Sequence, residues 1–86
     1  MSVHKAITEH SKKQNEIVTK FLQLEAKRES LIEQAIQLCI EGKPFSTEEI
    51  NFVTNQINQL ARSGIAPQRK LVTTEMVQEF VNRKNN

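Results

Sequence analysis

Apolar positions in the first half of the chain fall on a regular seam. Val3, Ile7, His10, Gln14, Ile17, Phe21, Leu24, Arg28, Leu31, Ala35 and Leu38 follow one another in alternating steps of four and three. Eight of these eleven are apolar, which marks a heptad line on a helix rather than scattered hydrophobicity. The first 41 residues hold no Gly and no Pro, so one long helix is predicted over about 3–41, about 60 Å in length. Ser11 and Gln14 have the spacing of a capping box, but the seam keeps its register there, which favours one continuous helix. Val18 and Leu22, then Ile32, Ile36, Cys39 and Ile40, widen the apolar face beyond the seam.

The long helix is predicted to stop at Gly42 and Pro44, a residue suited to the left-handed conformation followed by one that cannot continue a helix. A second start follows. Ser46 is the expected N-cap and Glu49 its capping-box partner, with Phe45 and Ile50 as a hydrophobic staple. The second helix runs over about 47–63, with Ile50, Val53, Ile57 and Leu60 on one face and Asn51, Asn55, Asn58 and Gln59 on the other. Gly64, Ile65 and Pro67 predict a Schellman ending, with Ile65 touching Leu60. After a connector, Thr73 caps a short third helix over about 74–83. Its face is Met76, Val77, Phe80 and Val81, and Val72 with Val77 offers a second staple.

These elements imply an all-α helical bundle in one domain, residues 1–86. The second helix lies antiparallel to the second half of the first, because the loop between them is short. That leaves Val3, Ile7, Ile17, Phe21 and Leu24 to be covered. A third helix of about ten residues is too short to span the stripe. Pairing with a second copy or a partner protein through this stripe is therefore the favoured reading, because apolar seams of this length seldom stay uncovered. His10, Gln14 and Arg28 interrupt the seam. They read either as solvated positions with long stems or as polar residues that set register.

Composition narrows the chemistry. The chain has 86 residues, with 12 Lys and Arg against 10 Asp and Glu, two Gly, two Pro and one Cys. No apolar run reaches membrane-span length, no secretory h-region follows Met1, and the lone Cys39 suits a reducing compartment. A cytoplasmic protein is the expectation. Both glycines are needed at helix ends, which leaves no phosphate-cradling loop. His4 and His10 lie on different helix faces with no ligand spacing to a Cys or carboxylate. The apolar setting of Cys39 predicts an unreactive thiol. No enzymatic activity, metal or cofactor is expected.

Charge is uneven: residues 31–50 carry one Lys against four Glu, whereas both flanking segments are basic. Arg62, Arg69 and Lys70, around the connector, are the alternative site, as phosphate contacts of a small nucleic-acid-associated regulator. Against it stand a net charge of only +2 and the absence of Tyr and Trp for base stacking. The connector also exceeds the three or four residues of a helix-turn-helix turn.

Three strings, Ser2-Val3-His4-Lys5-Ala6-Ile7, Glu41-Gly42-Lys43-Pro44-Phe45-Ser46 and Arg69-Lys70-Leu71-Val72-Thr73-Thr74-Glu75-Met76-Val77, resemble the YpbS-like proteins of Bacillus-type bacteria. That small family is described only as a domain of unknown function. The resemblance covers nearly the whole chain and implies a bacterial cytosolic setting. It carries over no activity, cofactor or catalytic residue.

Overall fold

The computed structural model describes the backbone of residues 2–85 and the side chains of residues 11–84. Three helices occur in order: α1 (Ser2–Ile40), α2 (Glu48–Ala61) and α3 (Thr74–Asn85). No strand occurs among the described residues, so the fold is all-α. α1 runs without interruption through Ser11, and the seam register prevails over the local capping signal.

The helix ends show how local chemistry sets the boundaries, and where it is redirected. The Schellman motif forms at the end of α1. Gly42 takes φ +72, the Lys43 amide donates to the Leu38 carbonyl at 2.9 Å, and the Gly42 amide donates to the Cys39 carbonyl at 3.1 Å. These are the paired bonds that satisfy terminal carbonyls.

The predicted Schellman ending of α2 forms in part: the Gly64 amide donates to the Ala61 carbonyl at 3.0 Å, but the longer bond from Ile65 is missing. Gly64 does take φ +80, but the Ile65 amide donates to Ser63 Oγ at 3.2 Å. The Ser63 hydroxyl in turn donates to the Leu60 carbonyl at 2.7 Å. Ser63 thus occupies both groups that the motif would have joined.

At the start of α2, Ser46 Oγ accepts from the Glu48 amide at 3.1 Å. The predicted capping box is not formed: the N-cap is Thr47, one residue later than expected and without a side-chain cap bond, and Ser46 reaches the Glu48 amide rather than that of Glu49. Phe45 packs against the core cluster that includes Ile50. Thr73 caps α3 through its hydroxyl, which accepts from the Met76 amide at 3.2 Å.

α2 and α3 both pack on α1. As the chain proceeds through α2 and into the connector, its contacts step backwards along α1. Leu38 shares a crevice with Ser46, Arg28 bonds Thr54, and Ile17 lies beside Ile65. α3 returns to the C-terminal half of α1, where Ile32 and Ile36 face Met76, Val77 and Phe80. The core is small and mostly β-branched: Ala35, Ile50, Val53, Ile57, Val72, Val77 and Val81 are the buried apolar residues.

The third helix therefore does not reach back along the first half of α1, and the molecule stays elongated. Its extents are 62 × 21 × 17 Å, and its radius of gyration is 17.5 Å. A compact chain of this length has a radius near 12 Å.

Candidate functional site

The heptad seam of α1 is its inner face. From Ile17 to Leu38 every seam residue is at least half-buried, and Ala35 is fully so. Arg28, the polar interruption, turns inward. Its Nε donates to Thr54 Oγ1 at 2.9 Å and a terminal nitrogen donates to the Lys70 carbonyl at 3.0 Å. Thr54 has no solvent exposure and passes its own proton to the Ile50 carbonyl at 2.8 Å. One guanidinium thus ties α1 to α2 and to the connector. Arg suits this position because its planar fork serves two acceptors at once.

The connector is held by two asparagines of α2. Asn51 accepts from the Val72 amide at 2.7 Å and donates to the Val72 carbonyl at 2.9 Å. Asn58 does the same with Arg69, at 2.8 Å and 3.0 Å. The spacing has a geometric reason. Seven residues of helix rise about 10.5 Å, and three residues of extended chain cover about 10 Å. Residues 69 and 72 therefore meet side chains two turns apart.

The stripe residues expected at an interface fall in two groups. Val3 and Ile7 lie outside the residues whose side chains are described. Ile17, Phe21 and Leu24 are half-buried, and Phe21 carries the Arg69 guanidinium 5.6 Å from its ring centre. The connector therefore covers part of this stripe within the chain itself.

The alternative residues do not form one set of free cations. Arg69 is bound to Glu25 at 3.0 Å, while Arg62 and Lys70 are exposed. A polar crevice joins Arg62 to Asn55, Asn58, Gln59 and Gln68, with no further basic residue.

The open apolar surface of α1 lies one residue further round. Val18 is 42% exposed and Leu22 59%. On the same side, between α1 and α3, is a groove of about 260 Å³ lined by Ile32, Ile36, Val72, Met76, Val77 and Phe80. Met76 and Phe80 are 46% and 44% exposed. In the sequence, Val18, Leu22, Ile32 and Ile36 read only as residues flanking the seam. The line through Val18, Leu22, Ile32 and Ile36 repeats the heptad steps of the seam with each number raised by one, and that spacing is the signal available.

Among the described residues, no group of three or more His, Cys, Asp or Glu is placed to hold a metal. No described helix is long and apolar enough to cross a membrane. Cys39 is a free, half-buried thiol.

The profile of a protein of unknown function (DUF2533) matches residues 1–83. The chain belongs to that family. An uncharacterized protein, YpbS of Bacillus subtilis (strain 168), is 51% identical over 81 residues, covering 94% of this chain and 95% of that protein. This DUF2533 member thus confirms the resemblance carried by the three strings. No solved structure matches it.

Proposed function

We propose that this DUF2533 protein is a non-enzymatic interaction or assembly module of the bacterial cytosol, working through an apolar face of α1. The observation that carries this reading is the shape of the molecule combined with where its apolar side chains lie. α1 extends past a small bundle, and Val18 and Leu22 stand exposed on it. The groove against α3 lies on the same side. Exposed apolar side chains gathered on one side of a molecule are characteristic of sites that meet another protein, and helix-in-groove docking is a recurring mode.

The surface also favours a protein partner over nucleic acid. Arg69 is engaged by Glu25 and stacked on Phe21, so it offers a phosphate little free charge.

The test is the mass of the purified chain in solution, measured by light scattering across a wide concentration range, together with its use as bait in an extract of its source organism. An assembled mass, or a retained protein lost on Leu22→Glu, is the expected result. A monomer that retains nothing sinks the reading. Binding to DNA or RNA that weakens steeply with salt and survives Leu22→Glu would favour the nucleic-acid alternative.

A further inference from the structure

We propose that the open face of α1 is closed by a second copy of the same chain lying antiparallel to the first, with Val18 and Leu22 of each seated in the α1–α3 groove of the other. This rests on the interaction-module reading and names its partner. Val18, Leu22, Glu25, Glu29, Ile32 and Ile36 step by four and three along α1, a second heptad line beside the seam. Its ends are apolar and its middle is acidic.

The line is symmetric about Lys27. Val18 and Ile36 lie nine residues either side of it, Leu22 and Ile32 five, and Glu25 and Glu29 two. A reversed copy therefore sets Val18 opposite Ile36 and Leu22 opposite Ile32, twice over, as an isologous contact requires. α3 completes the fit. It covers only the C-terminal half of its own α1, and its exposed Met76 and Phe80 then meet the exposed Val18 and Leu22 of the other copy.

Charge selects the direction. Residues 11–20 carry Lys12, Lys13 and Lys20 against Glu16, whereas the segment that a reversed copy sets opposite them, 34–43, carries only Glu41 and Lys43, paired with each other at 3.0 Å. Antiparallel copies lay the basic segment along one with no net charge, and parallel copies would set basic on basic. At the centre, Glu29 is exposed and comes opposite a Glu25 whose charge is already held by Arg69 at 3.0 Å. A parallel pair would instead face Glu29 with Glu29.

The experiment is light scattering of the full chain and three variants, with circular dichroism to show that each is folded. The wild type is expected at twice 9.9 kDa. Leu22→Glu and Phe80→Glu should each lose the dimer. Phe52→Glu, at a more exposed apolar site on α2 (66%), should keep it. Direction is read by mixing Val18→Cys and Ile36→Cys chains, both carrying Cys39→Ser, under mild oxidation. The mixed disulfide is expected, and a disulfide between two Val18→Cys chains overturns the antiparallel arrangement.

A monomeric wild type at all concentrations overturns self-pairing. If that monomer retains another protein, the interaction reading stands without it, and if it retains nothing, both fall. A dimer that survives both Leu22→Glu and Phe80→Glu overturns this face and leaves the assembly reading in place.

Discussion

Asn51 shows how a single side chain can hold a segment that has no regular structure. It supplies one donor and one acceptor to the same residue, Val72, which only an amide can do at that distance. Asn51→Asp keeps the size and the acceptor but loses the donor and sets a carboxylate against a carbonyl. The expected cost is about 1–3 kcal/mol, read as a lower denaturant midpoint with an unchanged slope. Glu41 offers a pH-dependent contact of a different kind. Its carboxylate lies 3.0 Å from Lys43 Nζ and accepts from Gln37 at 3.1 Å. Lys43 first, then Gln37, holds it below the usual carboxylate range. Its contribution to stability is present above the unfolded-state pKa and is lost as pH falls through the lowered folded value. In Lys43→Ala the Glu41 titration, followed by NMR, should move up toward the ordinary carboxylate range. An unmoved midpoint would show that the contact does not form in solution.

At the scale of elements, the helix boundaries are mostly local events. The turn after α1 depends on Gly42 at φ +72, where a Cβ would meet no neighbour within 4 Å. Gly42→Ala therefore tests the backbone alone, and about 1 kcal/mol of destabilisation is expected from the left-handed conformation, measured as a fall in Tm. A larger loss would mean that the Schellman bonds break as well. The start of α3 uses Thr73 as the sequence predicts, whereas α2 starts one residue later than predicted, with Thr47 rather than Ser46 as its N-cap. The end of α2 departs from its pattern, because the Ser63 hydroxyl captures both the Leu60 carbonyl and the Ile65 amide. A side chain one residue before the glycine was enough to redirect the motif.

The whole molecule rests on a few β-branched side chains. Ile57 is completely buried, and Ile57→Ala should cost about 2–5 kcal/mol. A domain of this length has on the order of 4–13 kcal/mol in all. The variant should therefore unfold near physiological temperature, seen as loss of helical circular dichroism on mild heating. Leu22→Ala, at an exposed site, should leave the monomer's thermal unfolding nearly unchanged. That contrast separates residues that hold the fold from residues that face outward. It also explains the 17.5 Å radius of gyration: the core needs only half of α1, and the rest of the helix extends beyond it.

The three helices, their order and most of their ends were legible along the chain. They depend on a heptad period, on Gly and Pro at the stops and on hydroxyl caps at the starts, all of which act within a few residues. The direction that Arg28 takes was not legible, because its acceptors, Thr54 and the Lys70 carbonyl, are 26 and 42 residues away. The same holds for Asn51 and Asn58, which read as a polar face until the connector is laid beside them. The line that holds the exposed Val18 and Leu22 was read only as flanking the seam, one residue or about 100° of rotation away. Periodicity identifies a stripe, but two adjacent stripes on α1 share the same steps. Only the packing of α2, α3 and the connector decided which of them is spent inside the molecule and which keeps exposed side chains.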